Sequence, residues 1–198
     1  MKYQAVILGL LMGFAVSPVR AAASDVPSVG VRTLSVFSEA RGEPLSVTIW
    51  YPAGPGGEAD LIGDDRIFAG TPALRDAPAR ADGYPLVLLS HGSGATVEKM
   101  SWIATDLAAR GYVVAGPNHP GTTSGDSTPE DTPKLWERTD DLSEINSYLL
   151  KAPEWKEVVD ADRVAALGFS LGGAAVLELA GARGDLDVVS DQVVPLRA

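Results

Sequence analysis

The chain of 198 residues contains no cysteine. Disulfides, thiol catalysis, thiolate zinc sites and a lipoprotein anchor are excluded with it. Histidine is almost as scarce, with two residues, His91 and His119. Positive charge is short as well: 16 Lys and Arg stand against 26 Asp and Glu, for a formal net charge of −10. No basic stripe exists to displace counterions, so the composition speaks against nucleic acid as a partner and disfavours an anionic membrane surface. Long apolar runs are missing too. A spanning helix needs about 20 apolar residues, and the run from Ala5 to Val16 falls short of that. Stable membrane insertion is therefore not expected.

That short run has a different meaning. Lys2 precedes it and Ala21-Ala22-Ala23 follows it, which is the order of a positive start, an apolar core and a small-residue cleavage site. Residues 1–23 are expected to be a signal peptide cut before Ser24. The expected location is the periplasm or the outside medium. The chain, at 45% hydrophobic and 21% charged, has a globular composition, and residues 24–198 are expected to form one domain.

The feature with most chemical content is Ala166-Leu167-Gly168-Phe169-Ser170-Leu171-Gly172-Gly173. It has the form G-x-S-x-G. An apolar run, Val164 to Leu167, precedes it, and Ala174 to Ala180, rich in helix formers, follows it. A strand that turns sharply into a helix at a serine needs small neighbours and holds the hydroxyl clear of the backbone. The first N–H groups of the helix have no internal partner and can face the oxygen of a reacting carbonyl. Ser170 is thus the candidate nucleophile. Such a hydrolase orders its triad Ser, then acid, then His. No histidine follows Ser170, so the sequence reads as the front part of a serine hydrolase, ending before its acid and base.

Elsewhere the pattern is that of an α/β protein. Val29 to Phe37 and Leu45 to Tyr51 read as two strands, the second alternating with period two. Pro52 to Gly83, rich in Gly, Pro, Ala and Asp, reads as a long loop. Leu86-Val87-Leu88-Leu89 and Tyr112-Val113-Val114-Ala115 are continuous apolar runs, as expected of strands buried on both faces. Between them a helix is predicted from Val97 to Arg110. Leu135, Leu142, Ile145 and Leu149 recur at helical spacing within Pro133 to Leu150. The order predicts a largely parallel sheet with flanking helices. Its reactive loops would lie at the carboxyl ends of the strands. The loops at His91, His119 and Ser170 would then meet on one edge.

Together Leu89-Ser90-His91-Gly92-Ser93-Gly94, the run Gly111 to Gly121 with Asn118-His119-Pro120-Gly121, Arg138 with Asp141-Leu142-Ser143, and the elbow after Asp162-Arg163-Val164 resemble the α/β-hydrolase fold. The narrower resemblance is to dienelactone hydrolases related to bacterial platelet-activating-factor acetylhydrolase, over Val29 to Ala182. Members usually carry histidine before the elbow serine, where this chain has Phe169. The resemblance implies that Ser170 attacks an ester carbonyl, with the N–H groups of Leu171 and Ser93 as oxyanion donors. In that family the histidine of His-Gly shapes the oxyanion loop. The acid and base lie further along the chain and have no counterpart here.

Alternatives stand beside these readings. His91 or His119 could edge the site or replace the missing base; packing within a loop is the plainer role for each. Arg138, Asp140 and Asp141 read as a surface or loop ion pair. Asp126, Glu130 and Asp131 read as solvated charge, so no metal or cofactor is expected. Trp50, Trp102, Trp136 and Trp155 read as core or half-buried packing. Two functions follow: a serine esterase acting on a small-molecule carboxylic ester through an acyl-enzyme, or a non-catalytic pseudo-enzyme or binding module that keeps the hydrolase front half.

Overall fold

The computed structural model describes residues 28–183. The expected signal peptide and the last part of the expected domain, 184–198, lie outside the described residues.

Two long strands open the fold. β1 (Ser28–Ser38) and β2 (Glu43–Ala53) pair antiparallel over their whole length, from Ser28 opposite Ala53 to Ser38 opposite Glu43. Gly42, at φ +70°, makes the turn between them. The stretch read as a loop then forms a hairpin, β3 (Glu58–Ile62) against β4 (Thr71–Arg75). Glycine and proline had masked it, because each strand has only five residues and β4 contains Pro72. The hairpin closes one side of the sheet, and β4 pairs with β1 only at Leu74 and Arg75, beyond Pro72.

The remaining elements alternate. They are β5 (Tyr84–Ser90), a turn of 3-10 helix at Val97–Met100 that leads into α1 (Ser101–Ala109), and β6 (Val113–Asn118). Then come α2 (Leu135–Lys151), β7 (Val159–Gly168) and α3 (Leu171–Leu179). The sheet order is β3-β4-β1-β2-β6-β5-β7. It is mixed: β6, β5 and β7 run parallel, as do β1 and β4, while β1 and β2, β2 and β6, and β3 and β4 are antiparallel. The parallel arrangement expected from the sequence therefore holds in the half that carries the candidate site. Crossovers through α1 and α2 require it there, whereas short connections allow the antiparallel pairs β1–β2 and β3–β4 in the other half.

Helices cover both faces. Leu142, Ile145 and Leu149 of α2, with Val176 and Leu179 of α3, pack on Val47, Ile49, Leu86, Leu88, Val113 and Ala115. Ala104 and Ala108 of α1 pack on Trp50, Val87, Leu89 and Val114 across the sheet. Successive residues of β5 thus enter opposite cores, which explains its unbroken apolar run. Each buried Leu or Ile here stabilises the fold by about 1.5–3 kcal/mol relative to exposure. Trp50 and Trp155 are fully buried, but Trp102 and Trp136 are 64% and 55% exposed, against the expectation of packing for all four. Both lie on outward faces of helices that already bury a different stripe. β7 ends the sheet among the described residues, with Val164 and Leu177 exposed beside it.

Candidate active site

Ser170 stands between β7 and α3 with φ +53° and ψ −120°. Non-glycine residues seldom occupy positive φ, and a structure keeps such strain only where its surroundings enforce it. Here the enforcing contacts are visible. A Cβ on Gly168 would strike the Gly172 carbonyl, and one on Gly172 would strike the carbonyl of Ser90. The Phe169 N–H donates to the Ser90 oxygen at 3.1 Å, tying the elbow to the end of β5. Close packing of strand end on helix start is what the two glycines permit, and it leaves the Ser170 side chain exposed.

The loop after β5 passes beside it. A Cβ built on Gly92 would lie 3.4 Å from the Cβ of Ser170 and 3.3 Å from Phe169 Cδ1. Ser93 is exposed, and its backbone N–H has no acceptor among the described turns and loops. Leu171 opens α3, so its N–H is one of the orphan donors of a helix start. Phe169, 68% exposed, adds an apolar surface next to the serine. Ser170 and Leu171 are therefore adjacent to the Gly92–Ser93 loop, with Phe169 beside them.

The two histidines are elsewhere. Both are fully buried beneath the loop, rings 5.1 Å apart, so neither edges the site. His119 Nδ1 lies 2.7 Å from Asp141 Oδ2, and its Nε2 lies 2.9 Å from Ser90 Oγ. The Asp141 carboxylate also accepts from Arg41, at 3.0 Å from Nε and 2.9 Å from Nη2. A carboxylate held by a guanidinium is an acceptor, so Nδ1 of His119 carries the proton and Nε2 accepts from the Ser90 hydroxyl. The backbone N–H of His119 donates to His91 Nε2 at 3.1 Å. His91 is thereby also the Nδ1–H tautomer, and that proton goes to the Gly92 carbonyl at 2.7 Å.

Burial pushes His91 down to about 4, and the Gly92 carbonyl, which favours its proton, does not offset this. Burial, with the charge of Arg138 and the neighbouring His91 and Arg41, holds His119 well below the usual histidine range. Burial raises the Asp141 carboxyl, and Arg41 and Arg138 pull it back. Both rings are neutral near pH 7, and both basic nitrogens are already engaged.

Arg138 and Asp141 are not the surface pair expected from their charge. They are 1% and 0% exposed, on the inward face of α2. Arg138 donates from Nη1 to Thr122 Oγ1 at 2.6 Å, from Nη2 to Ser90 Oγ at 3.1 Å, and from Nη2 to the His91 carbonyl. A periodicity signal existed: Leu149, Ile145 and Leu142 extend back along the same stripe to Arg138. Among the described residues no group of His, Cys, Asp or Glu is arranged to hold a metal ion, and no helix is long and apolar enough to cross a membrane.

Known proteins match this arrangement. The family model described as serine aminopeptidase, S33, matches residues 83–190, which include the loop after β5 and the elbow. The platelet-activating factor acetylhydrolase of Cavia porcellus is 28% identical, over 54% of this chain and 34% of its own length. That of Canis lupus familiaris is 28% identical, with the same shares covered. The chain thus spans about a third of the length of these curated relatives. A ferulic acid esterase from Streptomyces cinnamoneus superposes with TM-score 0.65 and 27% identity, over 82% of this chain and 57% of that one.

Proposed function

Because the chain belongs to the serine aminopeptidase, S33, family and has the α/β-hydrolase fold, we propose that it is a serine hydrolase of carboxylic esters. The carrying observation is Ser170, exposed at φ +53° between a strand and a helix, with the Leu171 N–H next to it and the loop at Gly92 packed against it. Ser170 Oγ would attack the ester carbonyl. The tetrahedral oxyanion would be held by the Leu171 and Ser93 amides, each worth about 3 kcal/mol in the transition state. The alcohol leaves, and water hydrolyses the acyl-serine. The names borne by the similar proteins, an acetylhydrolase and a ferulic acid esterase, favour an ester over an amide as the bond cleaved. Phe169 favours a substrate with an apolar group near the carbonyl.

Serine at its ordinary pKa needs a base. Among the described residues none reaches Ser170, since His91 and His119 are buried and their Nε2 atoms are taken. The alternative reading is a non-catalytic module. The two are separated by assaying a short p-nitrophenyl ester with and without added imidazole. Turnover that rises with imidazole and vanishes in Ser170→Ala supports the hydrolase. A rate equal to that of Ser170→Ala under both conditions supports the module.

Export belongs to the same proposal. Cleavage before Ser24 would deliver the domain to the periplasm or the medium, as Lys2, the apolar run Ala5 to Val16 and Ala21-Ala22-Ala23 suggest. N-terminal sequencing of the protein released by its host tests it; a chain that keeps Met1 in the membrane fraction contradicts it.

A further inference from the structure

Ser90, His119 and Asp141 form a hydrogen-bonded chain with the composition and order of contacts of a catalytic triad, yet all three are fully buried. No substrate carbonyl can reach Ser90. What its hydroxyl does reach is Arg138, from which it accepts a hydrogen bond while donating to His119 Nε2. The chain continues from Asp141 to Arg41, whose Nη1 also holds Glu137 at 2.7 Å. One end of this chain is therefore anchored to the β1–β2 turn and α2. The other end is a guanidinium directly under the loop after β5.

That guanidinium is unusual in its partners. Among the described residues Arg138 makes no ion pair, and all its acceptors are neutral: Thr122, Ser90 and the His91 carbonyl. Placing a cation in a core against neutral acceptors is costly unless those bonds are well made. Burial holds the guanidinium down to about 10, still protonated at neutral pH. Its three bonds connect the loop after β5 with the loop after β6. The Gly94 N–H to Thr122 carbonyl bond, 2.9 Å, closes the same connection from the other side.

We propose that Arg138, braced by the Ser90–His119–Asp141 chain, is a positioning residue that fixes the peptide planes of the oxyanion loop. It holds the His91 carbonyl inward. The next carbonyl, that of Gly92, is held by His91 Nδ1–H and by the Ala95 N–H at 3.2 Å. A trans peptide points its C=O and N–H in opposite directions. With both carbonyls turned into the core, the Ser93 N–H faces away from the buried rings, where an oxyanion donor is needed. A triad-like chain thus serves as a strut. Its catalytic consequence rests on the hydrolase reading; its structural consequence does not.

The test compares the full chain with its Arg138→Met, Arg138→Lys and Ser90→Ala variants. Two quantities are measured: exchange of the Gly94 and Ala95 amides by NMR, and the rate at which a fluorophosphonate labels Ser170, with Ser170→Ala as blank. The expected result is faster loop exchange in Arg138→Met, with β2 amides unchanged, and labelling slowed by roughly tenfold to a hundredfold. Arg138→Lys should recover part of both, and Ser90→Ala should shift both by a smaller factor. Unchanged loop exchange and labelling in folded Arg138→Met overturn the proposal; if that variant does not fold, the same result in Ser90→Ala does. Slower labelling with unchanged loop exchange also overturns it, since the effect would then be one of charge. Absent labelling of the parent chain, with loop exchange still responding, sinks the hydrolase reading and leaves the strut standing.

Discussion

Two serines lie at neighbouring strand ends in this fold, Ser90 closing β5 and Ser170 following β7, and their surroundings are opposite. Ser90 has a histidine at 2.9 Å and a carboxylate behind it, but no exposure. Ser170 is exposed, strained at φ +53° and flanked by unpaired amides, but has no base among the described residues. Acid, base and hydroxyl in the right order do not make a reactive site when the hydroxyl is sealed and every proton already has an acceptor. An exposed serine on a forced turn next to free N–H groups has the geometry of the reaction even without its base. Access and orphan donors, more than the roll of residues, separate the two.

The comparison can be broken most severely at Ser170. Ser170→Ala should abolish the part of the ester turnover that added imidazole accelerates, leaving only what the oxyanion donors supply. With no base among the described residues, the parent chain without imidazole should show no more than the roughly thousandfold acceleration that an oxyanion hole alone leaves. An esterase assay on both proteins checks this, and robust turnover abolished by a His91→Ala or His119→Ala change would show that a buried histidine does serve Ser170.

On the Ser90 side the expected losses are of stability. Asp141→Asn leaves Arg41 facing a neutral amide and gives His119 a weaker partner. Arg41 keeps Glu137, so the loss, read from the urea midpoint, should stay below the roughly 3–5 kcal/mol that leaving a buried charge unpaired costs. Acid should act on the same region. The folded state holds His91 at about 4, below its ordinary 6.5, so unfolding takes up protons between those values. Stability is complete above about pH 6.5 and should fall as pH drops toward 4, with His119 adding in the same direction. Urea midpoints across pH 4–8 measure it; a flat profile would mean that the rings are not buried and neutral. The smallest effect is expected for Ser90→Ala, which strands His119 Nε2 and one bond of Arg138, at about 1–3 kcal/mol.

How far these two regions could be read in the sequence differs as sharply. The Ser170 elbow is local: glycine at fixed offsets, an apolar run before and helix formers after specify it without reference to anything distant. The strands β5 and β6 were likewise legible, because burial on both faces leaves an unbroken apolar run. The Ser90 chain joins residues 29 and 22 positions apart, and no local pattern marks such a contact. Arg138 and Asp141 read as surface charge because charge is usually solvated. Only their phase on the apolar stripe of α2 tells otherwise. The hairpin β3–β4 was hidden by its own glycines and prolines, which suit an edge as well as a loop.

The central claim is that Ser170 is the chemically accessible serine and Ser90 the sealed one. Labelling the folded chain with a fluorophosphonate, with imidazole supplied as base, and mapping the adduct by peptide mass spectrometry tests it most directly. An adduct is expected on Ser170, accelerated by imidazole, and none on Ser90. An adduct on Ser90, or labelling of Ser170 no faster than of the exposed Ser127, would contradict it.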